Sequence, residues 1–593
     1  MGTTYWRRTL AVLLAFALFA VACGGSDDGE SATTTADDDT AADTSSDDGG
    51  DADTGSDDGG ETAAEPDEPN EPEEEREFVE EVGGDFLLRP ENVPTDDQRG
   101  GVVVVGYAGA IPHTNGAVSS GYAVNTVGPQ VNASLLRYND EYQPIPYLAD
   151  SWEIADDGLS VSLELNAEAR FHDGEDVTCT DVGFSIETSQ ANHPFKPMFA
   201  PVTGVDGGDT KSCTVNLSQP HPALLIAFSP GLLPIIPEHI FNDGQDMKTH
   251  PRNSTDVIGA GPFKLVEFDG SEIVRFEAND DFFLPGLPYL DELIFDLGLD
   301  HPTVTLGLQT GEFDIAAGDQ AHGGQNVIDS QADPNQRVSN KGFEAIGSIP
   351  WIQLNLRDEV LGDVRVRQAL AHALDKETYN DIIAVGLNNI DQCGPIQRNS
   401  PYYNPDGKCY DFDLEKAQAL LDEAGYADGF TITMHQASAN LPGMELIAEM
   451  WAEIGVTVEI SLDADFPDWI AKTVGEDSEY DATWTTLWNW GDPVIGVNRS
   501  YNCDNRVAGV AFSNMSWYCN EELDGLLNDA GLEFDEAKRA ELYYSAADII
   551  NEDVPVIYLS NQVWYQRMQV TLENPPESIW GFMDSWAEMW VDA

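Results

Sequence analysis

Four consecutive segments with alternating helix and strand patterns constrain the fold more than any other part of the sequence. In order, they are a helix pattern at Leu414–Ala424, a strand pattern at Phe430–Met434, a helix pattern at Met444–Glu453 and a strand pattern at Val456–Ile460. Gly425 follows the first helix pattern directly, as glycine often does at a helix C-terminus. Two strands joined by a crossing helix pair in parallel, so this region predicts an α/β lobe with a mostly parallel sheet.

A further helix is predicted after Asp363, because a carboxylate at this position caps the helix and interacts favourably with the positive end of its dipole. Apolar residues then form one stripe at helical spacing, namely Val366, Ala369, Leu370, Ala373 and Leu374. Arg365 and Arg367 lie off this stripe. They are candidates for ligand clamps, but the pattern favours ion pairs at the surface or between elements.

The chain begins with a pattern typical of exported proteins. Two arginines precede the apolar run Leu10–Ala22, which is shorter than the roughly 20 residues needed to span a bilayer. Small residues surround Cys23 as in a bacterial lipobox. Residues 1–23 are therefore interpreted as a lipoprotein signal peptide, with Cys23 as the lipidated residue. Ordinary secretion with cleavage near Ala22 is the alternative.

An acidic linker is predicted at residues 24–95. Small, polar and acidic residues dominate it, and it has too few apolar side chains to offset the entropy of ordering, so disorder is expected. The whole chain has a formal net charge of −78, which argues against nucleic-acid binding and repels anionic membrane surfaces. We therefore expect membrane contact through the lipid anchor only.

The cysteines after Cys23 indicate disulfides. Seven cysteines occur in the chain, and an even number remains after the lipidation site, as is typical of an exported protein with disulfides. Pairing between sequence neighbours is favoured among the possible connectivities, which gives Cys179–Cys213, Cys393–Cys409 and Cys503–Cys519. No cysteine has the spacing of a zinc site, so no metal is expected.

Catalytic and cofactor-binding motifs do not stand in a convincing context in this sequence. A Ser-His-Asp motif, a phosphate loop and a dinucleotide fingerprint are all lacking. Carboxylate pairs arise by chance among 106 acidic residues, so they do not indicate a glycosidase. No cofactor is therefore expected. Since about 500 residues after the linker exceed what one hydrophobic core supports, we expect two or more lobes.

Three tryptophans form the densest aromatic group in the sequence. Trp484, Trp488 and Trp490 alternate with polar residues, so at strand period their side chains share one face of a sheet. Such a face packs in a core or between lobes, as tryptophan usually does, or it forms one wall of a ligand cleft.

Several segments resemble, in the same order, those of the peptide/nickel class of ABC-transporter solute-binding proteins. The most recognisable is Asp363–Glu377. The others are Leu233–Phe241, Ile258–Leu265, Tyr289–Glu292, Gly311–Ile315, Asp411–Ala417 and Glu552–Ile557. The resemblance extends over the whole chain after the acidic linker.

This resemblance implies an α/β fold of the two-lobed periplasmic-binding-protein kind, in its large three-subdomain type II variant, with mixed sheets and a hinge. The implied division is a first lobe at residues 96–350 with an inserted subdomain at about 135–255, a second lobe at 351–560, and a return to the first lobe at 561–593.

The resemblance favours the cleft interpretation of the tryptophan face. In the family, the equivalent stretch borders the ligand cleft and often carries an aspartate that pairs with the amino terminus of a peptide. Here Asn489 stands nearest to that position, and Asp492 follows it. Both are candidate ligand-binding residues, although an asparagine at the first position departs from the pattern of a dipeptide binder.

Other candidate ligand contacts come from two further segments. Trp351 lies in Ser348–Leu356, which in the family carries the chain from the first lobe to the second. Its side chain is expected either to stack on a ligand or to fill the hinge, and to border the same cavity as the tryptophan face. Tyr107, His113 and Tyr122 are expected to contribute the opposite wall, although a single histidine is often structural.

The implied function is an extracytoplasmic lipoprotein that captures oligopeptides, or a similar medium-sized polar solute, by closure of its lobes. It would deliver this solute to the permease subunits of an ABC importer. We expect a monomer at the outer face of the cytoplasmic membrane, in the cell envelope or periplasmic space. A surface receptor or sensor without transport is the alternative, and a secreted hydrolase is less favoured.

Overall fold

The structure, a computed structural model, describes residues 92–592 except 319–323, 438–440, 465, 475–479 and 511. The predicted signal peptide, the lipidation site Cys23 and nearly all of the acidic linker lie outside the described residues. No helix in the described ranges combines the length and the apolar composition needed to cross a membrane.

Twenty strands and fourteen α-helices are present in these ranges. The strands are β1 (Val102–Ala108), β2 (Leu136–Tyr138), β3 (Pro144–Pro146), β4 (Ala149–Ile154), β5 (Ser160–Leu165), β6 (Val202–Asp206), β7 (Ser212–Leu217), β8 (Phe263–Asp269), β9 (Ile273–Ala278), β10 (Glu292–Leu299), β11 (Ile315–Ala317), β12 (Gln336–Ser339), β13 (Ser348–Leu354), β14 (Phe430–Ala437), β15 (Val456–Asp463), β16 (Ala482–Trp488), β17 (Val556–Tyr558), β18 (Gln566–Gln569), β19 (Leu572–Glu573) and β20 (Trp590–Val591). The helices are α1 (Tyr122–Val131), α2 (Cys179–Asn192), α3 (Leu224–Ala227), α4 (Glu238–Phe241), α5 (His301–Thr310), α6 (Gly324–Ala332), α7 (Val364–His372), α8 (Lys376–Ile383), α9 (Leu414–Ala424), α10 (Leu441–Ala452), α11 (Phe466–Thr473), α12 (Pro493–Gly496), α13 (Glu521–Leu532) and α14 (Glu536–Asp553).

The larger main sheet has seven strands in the order β12-β18-β11-β1-β10-β9-β8. Strand β1 is central and runs parallel to both of its neighbours, β10 and β11. The remaining pairs are antiparallel, so the sheet is mixed. The valine run in β1 supplies β-branched side chains to both faces, and Val103 and Val105 are fully buried in the core.

The second main sheet has five strands in the order β15-β14-β16-β13-β17. Strands β14 and β15 pair in parallel with Phe430 opposite Val456, which confirms the parallel pair predicted from the sequence. Helix α9 has the predicted bounds, because the carboxylate of Asp413 accepts from the amide of Lys416 at its start. At its end Gly425 adopts a left-handed φ of 91°, which a residue with a side chain rarely adopts.

Helix α7 begins after Asp363 as predicted, and the Asp363 carboxylate accepts from the amide of Arg365. All five residues of the predicted stripe are buried in the core beside the five-stranded sheet. The Arg365 guanidinium pairs with Asp363. Arg367 instead donates to backbone carbonyls, among them those of Asp553 and Leu361, so it binds two parts of the lobe together without a carboxylate partner.

A third sheet, β4-β5-β7-β6, is fully antiparallel and lies within the predicted inserted subdomain. Strands β4 and β5 form a hairpin, with Gly158 in a left-handed conformation (φ 67°) in the turn between them. The structure also bonds the six cysteines in the three neighbouring couples, Cys179–Cys213, Cys393–Cys409 and Cys503–Cys519.

The chain passes twice between the two large sheets. Residues 340–347 connect β12 of the seven-stranded sheet to β13 of the five-stranded sheet, and residues 559–565 connect β17 back to β18. The largest apolar cluster includes residues of both connections and of the four-stranded sheet. The domain limits stated above stay predictions.

Candidate ligand-binding site at the connections between the large sheets

Five aromatic side chains form a contiguous group where the chain passes between the two large sheets. This crossover cluster consists of Tyr107, Tyr122, Phe343, Trp488 and Trp564. The Tyr107 and Tyr122 rings are stacked with centroids 6.2 Å apart, and the Tyr122 ring lies 5.8 Å from Trp564. Trp564 in turn lies 5.4 Å from Phe343 and 5.6 Å from Trp488, which it meets edge to face. Such ring pairs contribute about 0.5–1.5 kcal/mol each beyond the area they bury.

The members of the crossover cluster come from both large sheets, from one helix and from the two connections between the sheets. Tyr107 lies on β1 and Tyr122 begins α1, whereas Trp488 ends β16 of the other sheet. Phe343 and Trp564 lie on the two connections. Tyr122 and Trp488 stay partly exposed while the other three are buried, so these two rings offer accessible surface to a ligand. Burial raises the pKa of the Tyr107 hydroxyl well above its usual range, which keeps it neutral.

Three of the residues proposed from the sequence, Tyr107, Tyr122 and Trp488, thus meet in one cluster. Sequence reasoning missed Phe343 and Trp564, which join them. The available signal was their position, because each is an aromatic residue in a segment that connects the two large sheets.

His113 lies in the same loop region as Tyr122 but not in the crossover cluster. Its Nδ1 accepts from the backbone amide of Asn115 at 3.2 Å. Burial lowers its pKa, so the ring is neutral near pH 7. This geometry is that of a histidine that shapes its own loop.

Trp351 does not share a cavity with the tryptophan face, so that expectation is wrong. Trp351 pairs with Thr485 across β13 and β16, whereas Trp484 pairs with Ile352. Because side chains alternate along a strand, Trp351 lies on the opposite face of the sheet from Trp484 and Trp488. It is 3 % exposed and packs on Tyr558, with ring centroids 6.1 Å apart, as part of the core.

The expectation that all three tryptophans share one face is also wrong for Trp490. Strand β16 ends at Trp488, and Trp490 has a left-handed φ of 49°, which interrupts the alternation. Its ring lies 5.0 Å from Phe195 and 6.3 Å from Trp580. Trp484 stays on the face of Trp488, but it packs against the core of the five-stranded sheet.

Asn489 is buried, and its side-chain amide is hydrogen-bonded to other parts of the fold. Its Oδ1 accepts from the amide of Gln397 at 2.9 Å, and its Nδ2 donates to the carbonyls of Gly347 and Pro395 at 3.2 and 3.3 Å. It therefore ties the first connection between the sheets to a loop of the second lobe. An amide suits this position, since it must both donate and accept.

Asp492 also acts within the fold. Its carboxylate accepts from the amide of Val494 and caps helix α12. Both of its oxygens pair with the Arg539 guanidinium at 2.8 and 2.9 Å, and both side chains are almost completely buried. The two polar residues proposed to bind a ligand thus have internal partners. Among the described residues, no group of three or more His, Cys, Asp or Glu side chains is arranged to hold a metal ion.

Comparison with known proteins identifies the family of this chain. The family model of bacterial extracellular solute-binding proteins, family 5, matches residues 143–507. The chain belongs to this family. Family 5 solute-binding proteins are binding proteins and not enzymes, which confirms the prediction made from the absence of catalytic motifs.

Curated relatives of this family 5 protein differ in the ligand that their names give. Di/tripeptide-binding protein 1 of Pseudomonas aeruginosa is 27% identical over 464 residues, which cover 72% of this chain and 83% of the relative. Heme-binding protein A of Haemophilus influenzae is 26% identical over 502 residues, which cover 78% of this chain and 88% of the relative.

A solved structure confirms the predicted two-lobed fold of the family 5 protein. The ABC transporter-associated periplasmic binding protein DppA from Helicobacter pylori, in complex with the peptide STSA, superposes with a TM-score of 0.69 at 22% identity. The match covers 84% of this chain and 99% of the other.

Proposed function

We propose that this protein captures an oligopeptide, or another medium-sized polar solute, outside the cytoplasmic membrane and delivers it to the permease of an ABC importer. The crossover cluster would form part of the ligand cleft. This proposal is supported by the positions of the cluster residues in the fold. Tyr107 and Trp488 belong to different sheets, and Phe343 and Trp564 lie on the connections between these sheets.

Binding at this point explains how a ligand would close the lobes. A ligand shifts the balance between open and closed states only through contacts that differ between those states. A solute that touches Tyr122 on one side and Trp488 on the other makes its full set of contacts only when the lobes are together. The peptide and heme named for the relatives are both of a size that such an interface accommodates.

The first test concerns Trp488. Replacing Trp488 with alanine should weaken ligand affinity by about tenfold, because a ring contact of about 1 kcal/mol and its buried area are lost together. Wild type and variant would be titrated with a library of di- to pentapeptides and with solute recovered from protein purified from its own host. The readouts are tryptophan fluorescence and calorimetry.

Trp152 provides the matched control, since it is also a half-buried tryptophan but lies on β4 of the four-stranded sheet. Its replacement with alanine should leave affinity unchanged. Equal affinities of the Trp488 variant and wild type for a bound solute would remove the crossover cluster from the proposed cleft.

The second test concerns the lipid anchor. Replacing Cys23 with alanine should release the protein from the membrane fraction into the soluble fraction, because no acyl chain can then be attached at this position. The thermal unfolding of the folded part should not change. Replacement of the neighbouring Ser26 with alanine should leave the protein in the membrane fraction. A Cys23 variant that stays on membranes after a high-salt wash would contradict anchoring at this residue.

A further inference from the structure

Arg499 differs in its contacts from the well-buried arginines of the described chain. It lies in the short 3-10 turn Asn498–Ser500 that follows α12. Its side chain is partly buried, and its Nε atom is inaccessible to solvent and has no hydrogen-bond acceptor. No carboxylate of the described residues offsets its charge, and burial alone lowers its pKa to about 10.

The other buried arginines all form hydrogen bonds or ion pairs within the fold. Arg539 pairs with Asp492, and Arg137 pairs with two carboxylates. Arg367 donates to four backbone carbonyls, and Arg567 donates to the hydroxyl of Thr305. Since removing a charge from water without a counter-charge destabilises a fold, the retention of Arg499 calls for a function.

The surroundings of Arg499 come from three separate parts of the chain. Its guanidinium lies 4.4 Å from the centre of the Phe195 ring, which follows α2 of the inserted region. The Phe195 ring lies 5.0 Å from Trp490, which follows β16, and Trp490 lies 6.3 Å from Trp580 near the C-terminus. We call these four residues the Arg499 cluster. It is adjacent to the crossover cluster, because Trp488 and Trp490 are separated by one residue.

The Arg499 cluster contains hydrogen-bond donors that lack acceptors. The indole Nε1 atoms of Trp490 and Trp580 are buried without a partner, as is Nε of Arg499. An indole and a guanidinium can donate but cannot accept, so none of these groups can satisfy another. His193 lies nearby, and its ring is neutral because burial, together with the charge of Arg499, lowers its pKa to about 3. The cluster therefore lacks acceptor oxygens and one negative charge.

We propose that the Arg499 cluster binds an anionic group of the captured solute, with a carboxylate facing Arg499 and an apolar part of the solute on the neighbouring rings. A carboxylate supplies both missing features, since it has two acceptor oxygens and pairs with the planar guanidinium through two parallel hydrogen bonds. This inference rests on the proposed function, because it assumes that a solute enters between the lobes. It narrows the ligand to peptides or other solutes that carry a negative charge.

The test compares Arg499→Met and Arg499→Lys with a control, Arg506→Met. Arg506 is exposed and close in sequence, so the control makes the same change in charge away from the cluster. The probes are tri- to pentapeptides with a free C-terminus, the same peptides amidated, and peptides with or without an acidic side chain. Affinity is measured by calorimetry, and the melting temperature is measured for each protein without ligand.

We expect Arg499→Met to weaken binding of the preferred anionic peptide by about 10- to 100-fold. Arg499→Lys should retain part of the affinity, and Arg506→Met all of it. Neutralising the anionic group should weaken binding to wild type and have little further effect on Arg499→Met. If amidation of the peptide lowers its affinity, the C-terminal carboxylate is the anion. If only peptides without Asp or Glu bind more weakly, the anion is an acidic side chain.

The ligand-free proteins give an independent result. Because Arg499 has no carboxylate partner and its Nε has no hydrogen-bond acceptor within the fold, Arg499→Met should melt at the same temperature as Arg506→Met or higher. A lower melting temperature would show that Arg499 stabilises the fold, and it would overturn the inference even if no peptide binds. Peptide binding that is equally strong in wild type and Arg499→Met would overturn the inference while leaving the proposed function intact. Failure of every peptide to bind wild type would count against peptide capture, and the melting temperatures would then decide the role of Arg499.

Discussion

Replacing Arg539 with methionine is expected to lower the free energy of unfolding by about 3–5 kcal/mol, because it leaves the carboxylate of Asp492 buried without its partner. The two side chains are 2 % and 5 % exposed and form two hydrogen bonds of 2.8 and 2.9 Å. The same guanidinium donates to the carbonyl of Ala530 and to the hydroxyl of Tyr402, so four hydrogen bonds are lost together. Denaturant titration followed by circular dichroism measures the loss.

Lys538 provides the control for this experiment. It is the neighbour of Arg539 in sequence, and its ion pair with Asp535 is mostly exposed. Lys538→Met removes the same charge from the same helix and should have no measurable effect on stability, because exposed pairs are screened by water. Equal effects of the two replacements would contradict a structural role for the Arg539–Asp492 pair.

This pair also connects stability to the candidate site. Asp492 ends the short segment that begins at Trp488, and Arg539 lies on the long helix α14. The orientation of the segment, with the left-handed Trp490 in its middle, is thus fixed by a charge pair to a distant helix. Asp492, a candidate ligand contact in the sequence, thus holds the segment of Trp488 and Trp490 in place.

Local signals made much of the fold predictable. The bounds of α9 follow from Asp413 at one end and Gly425 at the other, both of which are visible in the sequence. The parallel pairing of β14 and β15 follows from the helix between them. These features depend on residues a few positions apart, so periodicity, caps and turns are sufficient to find them.

The candidate site depends on relations that these signals do not contain. Whether Trp351 lies on the same side of the sheet as Trp484 depends on the register between β13 and β16. A register shift of one residue would move Trp351 to the other side. The turn of the backbone at Trp490 has no signature, because a left-handed tryptophan is rare. The contact of Phe195 with Arg499 joins residues that are far apart in the chain, and nothing local to either indicates it.

The second large effect is expected at Arg137, which binds the C-terminal segment to β2. Its Nε and Nη1 donate to Asp584 and Glu588, each at 2.7 Å, and all three side chains are nearly inaccessible. Arg137→Met would leave two buried carboxylates without a counter-charge, so we expect a loss of at least about 3–5 kcal/mol at neutral pH. Arg170→Met is the control, because Arg170 and Asp176 form a pair that is about half exposed and should matter little.

The loss at Arg137 should depend on pH in a defined direction. Burial raises the pKa of Glu588 above its ordinary value of 4.5, and Arg137 opposes this rise. Without Arg137 the pKa rises further, so the folded variant binds a proton that the unfolded chain has already released. Stability conferred by that proton is present below pH 4.5 and is lost as the pH rises through the folded-state pKa. The difference in unfolding free energy between wild type and Arg137→Met should therefore be smaller at pH 5 than at pH 7.5. A difference that stays constant or grows on acidification would mean that Glu588 is not the group left uncompensated.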